Sequence, residues 1–252
     1  MPISKPTENP KIVSQEEWLT ARKALLVKEK ELTHLRDKIN AERLALPWVK
    51  VDRDYVFDTP AGKNTLAELF DGRSQMVVYH FMLGPGWAAG CPGCSFISDH
   101  LDGTLPHLEH HDVTMMVVSR APLGEIAGYK TRMGWKFPWV SSFGSDFNFD
   151  YHVSFTPEDL ASGKVFHNFA EMPVPPNSTM SELHGLSAFY KNDSGQVFHT
   201  YSSYARGHED LLGTLMILDR APQGRNESQT MDFLRRHDEY EQPRKKIGIS
   251  AR

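Results

Sequence analysis

Between residues 14 and 46, Trp18, Leu25, Leu32, Leu35 and Ile39 recur at steps of seven and of three or four residues among many Lys, Arg, Glu and Asp. That spacing lines one face of a helix. Ser14-Gln15-Glu16-Glu17 has the form of a capping box, in which the serine hydroxyl and the glutamate carboxylate satisfy each other's orphan backbone donors, and Pro47 ends the run. An amphipathic stripe needs a partner. Packing on the rest of its own domain is the expected outcome; pairing with a second copy of the chain, a homodimer built on the spacing that coiled coils use, is the alternative.

Past Pro47 the period shortens. Val49-Lys50-Val51 and Tyr55-Val56-Phe57 alternate apolar and polar positions until Thr59-Pro60-Ala61-Gly62 breaks the run, which predicts short strands joined by turns. A helical turn follows over 65–70. The continuous apolar run from Met76 to Leu83, rich in β-branched and aromatic residues, predicts a strand buried on both faces, the candidate central strand. Gly84-Pro85-Gly86 and Gly90-Cys91-Pro92-Gly93-Cys94-Ser95 follow it. Phe96, Ile97, Leu101 and Leu108 then keep helical spacing, with Gly103 and Pro106 placed to split that helix. A second buried strand, Val113 to Val118, precedes a helix opened by Pro122 and closed by Gly134. In such a strand-helix-strand unit the strands run parallel with a right-handed crossover. The cysteines then fall at the carboxyl end of the first strand, where open α/β sheets carry their crevice.

The stretch from Trp135 to Phe155 is dense in aromatics. Trp135, Phe137, Trp139, Phe143, Phe147, Phe149 and Tyr151 are expected in the core, with a groove for an apolar partner as the alternative. Thr156-Pro157-Glu158 starts a short helix that stops near Gly163, and Met172 to Asn177 reads as a loop. Leu186–Tyr190 and Val197–Tyr201 flank Asn192-Asp193-Ser194-Gly195, a hairpin signal. A helix from about His208 carries Leu211, Leu212, Leu215 and Leu218 on one face until Pro222. The expected organisation is an arm with Pro2, Pro6 and Pro10 plus the amphipathic helix (1–46), one α/β domain (47–222) and a polar C-terminal tail (223–252).

Composition narrows the class. With 40% hydrophobic and 24% charged residues, this is the make-up of a globular protein. No run approaches the roughly 20 apolar residues of a membrane span. A net charge of −4 lacks the cationic excess that phosphate neutralisation demands, so neither nucleic acid nor a membrane is an expected partner. Met1-Pro2-Ile3-Ser4-Lys5-Pro6 has no apolar stretch like the core of a secretory signal, and the expected compartment is the cytoplasm.

The two cysteines stand two residues apart. In a reducing compartment such a pair is redox-active or metal-binding more often than structural. A thiolate at a helix start meets unpaired backbone N–H groups, which lower its pKa from about 8.5 into the range of roughly 3.5–7.5. Cys91, the outer residue, is therefore the expected nucleophile, and Cys94, one turn inside, the resolving thiol. Pro92 suits a first helical turn because its missing N–H would be unpaired there. Gly93 removes bulk beside the nucleophile, and Trp87 is expected to wall the dithiol pocket.

These residues carry a resemblance. Trp87-Ala88-Ala89-Gly90-Cys91-Pro92-Gly93-Cys94 resembles the Trp-Ala-x-Trp-Cys-Gly-Pro-Cys signature of thioredoxins, with Gly90 for the second Trp and the inner dipeptide reversed. Thr59-Pro60-Ala61-Gly62 to Leu69, then strand, then cysteine, resembles the front half of the peroxiredoxin-like branch. Across nearly its whole length, including Asp146 to Phe155 and His199 to Gly207, the chain is similar to a family catalogued as predicted dithiol-disulfide oxidoreductases (domain of unknown function 899). The resemblance implies an α/β, thioredoxin-like fold of the peroxiredoxin-like branch: a central mixed sheet flanked by helices, with an added long N-terminal helix. It also implies Cys91 and Cys94 as the catalytic pair, with no cofactor besides them. The partners it implies are a disulfide or dithiol substrate and a recycling thiol reductant. Leu183-His184-Gly185-Leu186 stands where thioredoxins place a cis-proline, so Gly185 joins Trp87, Pro92 and Gly93 as an expected substrate-binding residue. A peroxidase is not expected: Ala88 stands where the peroxiredoxin hydroxyl belongs, and Pro85 falls one place late.

Two rival readings stay open. Cys91 and Cys94 could anchor zinc, but four ligands are usual, and the nearest candidates, His107, His110 and His111, lie past the next helix; no metal is expected. The other rival is a non-catalytic thioredoxin-fold binding protein. His80, in mid-strand, is expected as a hydrogen-bonded core histidine rather than a proton shuttle. Asp146, Asp150, His152, Tyr201, Tyr204 and Arg206 are expected as a polar rim near the site.

Overall fold

The computed structural model describes residues 10–241. The expected arm over 1–9 and the last part of the tail, 242–252, lie outside the described residues.

Ser14 caps helix α1 (Gln15–Leu44): its hydroxyl accepts from the Glu17 N–H at 3.2 Å while the Glu17 carboxylate accepts from the Ser14 N–H at 3.1 Å. The capping box thus forms as read. The stripe does not behave as expected, because α1 buries none of its residues. Trp18, Leu25, Leu32, Leu35 and Ile39 are between 42% and 56% exposed, so packing on the chain's own domain is overturned. The physical reason is that both clusters of the domain core close without any α1 residue. The last turn meets the domain, where the Arg43 guanidinium lies 4.9 Å from the centre of the Tyr201 ring.

Eight strands then form one sheet: β1 (Val49–Lys50), β2 (Val56–Thr59), β3 (Gly62–Thr65), β4 (Gln75–His80), β5 (Val113–Ser119), β6 (Trp139–Ser141), and two later ones. A small separate hairpin, β7 (Lys164–His167) with β8 (Ala170–Pro173), precedes those two, β9 (Gly185–Lys191) and β10 (Val197–Tyr204). The sheet order is β1-β10-β9-β4-β5-β6-β2-β3. Strands β4, β5 and β6 are parallel, while β9 runs antiparallel to both β4 and β10. The middle of the sheet, β5-β4-β9-β10, therefore joins a strand-helix-strand unit to an antiparallel hairpin. This is the thioredoxin-like arrangement, in a mixed sheet with β4 near its centre.

The helices are α2 (Pro92–Ser98), α3 (Leu105–His110), α4 (Leu123–Met133), α5 (Phe147–Asp150), α6 (Pro157–Ala161) and α7 (Gly213–Leu218). Gly103 and Pro106 split the segment after the cysteines into α2, a 3-10 turn at Asp102–Thr104 and α3. Gly134 closes α4 in the left-handed conformation, φ 70°. Pro122 is the residue before α4 rather than its first. The helix expected from His208 is a 3-10 segment, Ala205–Leu211, followed by α7. Leu212, at φ −102° and ψ 87°, interrupts the turn between them.

Alternation along β4 sends side chains to two cores. Tyr79 joins a cluster with Phe81, Phe96, Ile97, Trp135, Phe137 and Trp139, whereas Met76 and Val78 join Phe57, Phe147, Tyr151 and Phe189. The aromatic stretch is thus mostly core, divided between the two faces, with Phe143 left 51% exposed. Residues 223–241 correct the expectation of a polar tail. Leu234 is buried, Met231 and Phe233 pack on the cluster that holds Cys94, and Arg236 bonds to Gly90. Apolar packing and the contacts of Arg236, His237 and Asp238 together hold the segment on the domain.

Candidate active site at Cys91 and Cys94

The apolar run of β4 carries the chain to the sheet edge, and residues 84–90 fold back so that Cys91 returns to it. The Cys91 N–H donates to the Met82 carbonyl at 3.1 Å. Gly90 makes the return feasible: a Cβ there would lie 2.4 Å from the Phe81 ring and 2.8 Å from that of Tyr129. Trp87 lies over Gly84, its Nε1 3.0 Å and the Glu182 Cγ 3.2 Å from where a Gly84 Cβ would stand. The buried Glu182 is held by Arg120 (2.6 and 2.8 Å) and by the Ser154 hydroxyl (2.5 Å). Burial raises its pKa against those bonds.

Cys91 is the N-cap of α2, with Pro92 first in the helix. Its carbonyl accepts from the Ser95 N–H and hydroxyl, both at 2.9 Å, and the Ser95 hydroxyl meets the Tyr129 hydroxyl at 2.8 Å. A Cβ on Gly93 would sit 3.7 Å from the Cys91 sulfur, an ordinary contact, so Gly93 leaves that side of the sulfur uncovered. Cys91 is partly exposed and Cys94 is buried; both are free thiols.

Their surroundings push the two thiols apart. Cys91 is lowered from near 9 to about 6: the Cys94 thiol bonds to it first, the N–H groups of Cys94 and Gly93 and the Arg236 charge assist, and burial opposes. Cys94 is pushed well up, by burial first and then by Cys91; the Tyr79 hydroxyl and the Met82 backbone act the other way. The Tyr79 hydroxyl is buried without a hydrogen-bond partner, and its pKa and that of Cys94 act on each other. Burial, and next the Cys94 charge, hold its own pKa far above the ordinary value.

Sequence reading missed Tyr79 and Arg236. Nothing in an apolar run marks Tyr79 as polar company for a thiol. Arg236 stands 146 residues beyond Gly90, whose carbonyl accepts from its Nε at 3.0 Å and Nη2 at 2.7 Å. Phe233-Leu234 was the readable sign that this segment packs. The structure brings Trp87, Pro92 and Gly93 to the dithiol loop. It sets Gly185 in the sheet between His80 and Tyr204, where a Cβ would meet the Tyr204 ring at 2.9 Å.

His80 is the core histidine expected: fully buried, with Nε2 2.9 Å from the Ser187 hydroxyl and the ring stacked near Phe147 and Tyr151. Burial lowers its pKa to about 3. The residues expected as a polar rim make their own contacts. Asp150 accepts from Tyr55 and Arg53, both at 2.6 Å; Arg53 also reaches Asp146, the Tyr204 hydroxyl donates to the Tyr151 carbonyl, and Arg206 pairs with Glu209. Their recorded partners do not include the sulfurs. His107 and His110 lie on α3 and His111 caps it. Among the described residues no three His, Cys, Asp or Glu side chains gather as metal ligands.

Fold and dithiol together define a thioredoxin-fold protein with a cysteine pair at the start of the first core helix. The chain belongs to the family described as bacterial protein of unknown function (DUF899), which it matches over residues 7–240. No curated protein matches it. Among solved structures it is similar to peroxiredoxin Q of Xanthomonas campestris, at 12% identity over 70% of this chain and 98% of that one, TM-score 0.44. It is also similar to peroxidoxin BcpB of Mycobacterium tuberculosis, at 17% identity over 68% and 97%, TM-score 0.39. A third is the mitochondrial 2-cys peroxiredoxin of Plasmodium falciparum, at 14% identity over 70% and 94%, TM-score 0.39. Among the described residues no helix is long and apolar enough to cross a membrane.

Proposed function

We propose that the chain is a thiol-disulfide oxidoreductase whose redox centre is Cys91 and Cys94. The supporting observation is their unequal placement: Cys91 partly exposed as the N-cap of α2, Cys94 buried one turn deeper against Tyr79. In the reducing direction the Cys91 thiolate attacks a substrate disulfide. A Cys91–substrate S–S bond forms, the substrate's own S–S bond breaks, and one substrate sulfur leaves as thiolate and takes a proton from water. Cys94 then attacks the Cys91 sulfur while its proton passes to the departing substrate sulfur, so the Cys91–Cys94 disulfide forms, the Cys91–substrate bond breaks and the second substrate thiol departs. Two electrons pass from the dithiol to the substrate, and a thiol reductant returns them. Tyr79 and the Met82 backbone support the charge that grows on Cys94 as its proton leaves. Trp87, Pro92 and Gly93 form the surface that a substrate meets. The cysteine pair needs no other cofactor, and the cytoplasm is the compartment this chemistry fits.

Trapping tests the assignment. Cys94→Ser should accumulate a mixed disulfide through Cys91 with a model disulfide substrate, and Cys91→Ser should accumulate none. The reverse pattern overturns the roles, and trapping by neither variant overturns the activity.

A further inference from the structure

A helix of 30 residues with no buried position sits on a domain whose cores are complete without it. It extends about 45 Å at 1.5 Å per residue.

The seven-residue repeat on α1 is regular. Trp18, Leu25, Leu32 and Ile39 share one heptad position, a, and Ala21, Lys28, Leu35 and Glu42 share the other seam position, d. Position g carries Glu17, Ala24, Glu31 and Lys38, and position e carries Arg22, Glu29, Arg36 and Arg43. When two such helices run parallel and in register, each g residue faces the e residue five places on in the partner. Glu17 then meets Arg22 of the second copy, and Glu31 meets Arg36. Lys38 and Arg43 are the like-charged exception, and Arg43 is already turned onto the Tyr201 ring of its own domain. An antiparallel pairing over the same length sets Trp18 against Glu42, Arg22 against Arg36, Glu29 against Glu29 and Glu31 against Glu31, a repulsive set.

We infer that two copies of this chain pair through α1 as a parallel, in-register coiled coil, which covers the exposed Trp18, Leu25, Leu32, Leu35 and Ile39 stripe. Lys28 and Glu42, the two charged seam residues, weaken the pairing while specifying its register, as polar seam residues do. Leu19 and Leu26, 42% and 39% exposed, fall at the outer position b and stay outside the seam. They separate this arrangement from a helix that lies flat on some broader apolar surface.

Light scattering and sedimentation equilibrium on the full chain at micromolar concentration should give a dimer. Leu25→Glu and Leu32→Glu should give folded monomers with unchanged Cys91 alkylation, and Leu26→Glu should remain a dimer. Arg36→Glu should weaken the dimer roughly tenfold, and adding Glu31→Arg should restore it. In a Cys91→Ser, Cys94→Ser background, Ile39→Cys should close an interchain disulfide between the two copies under mild oxidation. A monomeric wild type, or a dimer indifferent to Leu25→Glu and Leu32→Glu, overturns the proposal. A dimer lost with Leu26→Glu as readily as with Leu25→Glu, or one whose Ile39→Cys variant fails to cross-link, overturns the parallel coiled coil.

Discussion

Tyr79 and His80 are neighbours on β4, both buried and both polar, and they face opposite sides of the sheet. The hydroxyl of Tyr79 acts on a sulfur that must gain and lose charge. His80 is tied through Nε2 to Ser187, which meets Ser202, which meets His199, and its ring packs in a triangle with Phe147 and Tyr151. The same degree of burial therefore has two meanings. Beside a titrating group, a lone hydroxyl is a donor that comes into use when the thiolate forms; between aromatic rings, an imidazole only fixes the packing.

If the faces are this separate, damage to the His80 side should lower stability and leave the dithiol alone. Phe147→Ala, at a fully buried ring in contact with Tyr55, Phe57, His80 and Tyr151, should cost about 3–5 kcal/mol in chemical denaturation. The pH midpoint of Cys91 alkylation should stay near 6. A midpoint displaced by about one unit would mean that the two cores are coupled, since one unit corresponds to roughly 1.4 kcal/mol.

The pH dependence of stability separates Cys91 from the buried histidines. Cys91 has a folded-state pKa of about 6, below the value near 9 of an ordinary thiol. Its contribution to the reduced protein is complete above the unfolded value and is lost as pH falls through the folded one. Stability of the reduced form should therefore rise between pH 6 and 9, by at most about 1.4 kcal/mol per unit, and Cys91→Ala should flatten that limb. His80 and His208, lowered by burial to about 3 and about 4, act at lower pH: the neutral ring is favoured in the fold, and stability falls as pH drops below the ordinary histidine value near 6.5. That acid limb should survive Cys91→Ala intact. Denaturant midpoints measured from pH 4 to 9 check both limbs.

Tyr79→Phe tests the other half of the comparison. Removing the hydroxyl takes from reduced Cys94 a buried donor that a disulfide sulfur would use only weakly. At about 1 kcal/mol, the Cys91/Cys94 midpoint against glutathione should become more negative by roughly 20 mV. An unchanged midpoint would place Tyr79 with His80 as packing.

Much of this was legible in the chain. The capping box of α1, the two apolar strands, the hairpin around Asn192 and the Cys91-Pro92 helix start all follow from local chemistry that tertiary contacts did not override. The β7–β8 hairpin was not, because β7 buries Val165 and His167 and exposes Lys164 and Phe166, so burial alternates while the residue types do not, and β8 buries none of its residues. The destination of the α1 stripe was not legible either: amphipathicity reveals that a face wants covering, and not what covers it. The partners of the polar residues were not legible for a related reason. Asp146, Asp150, His152, Tyr204 and Arg206 stand out as residue types, but nothing in a one-dimensional pattern tells which side chains they meet, even where Tyr204 ends beside Gly185 and His80 at the carboxyl end of β4.

Arg236 gives the smallest expected effect and the sharpest question about the dithiol face. Its guanidinium grips the Gly90 carbonyl through two nitrogens and Glu239 through the third, so it both pins the C-terminal segment and places positive charge beside Cys91. These two roles separate by substitution. Arg236→Gln removes the charge but keeps a donor, and should raise the Cys91 midpoint by about half a unit, ~0.7 kcal/mol. Alkylation at a pH below the midpoint should slow roughly threefold, the same half unit read as a thiolate fraction. Arg236→Lys keeps the charge and loses the fork, so it should leave the midpoint in place while loosening the segment, read as faster hydrogen exchange over 231–240. Equal midpoint shifts in the two variants would mean that the fork acts by holding the loop at Gly90. No shift in either would leave the Cys94 thiol and the first N–H groups of α2 as the whole cause of the lowered Cys91 pKa.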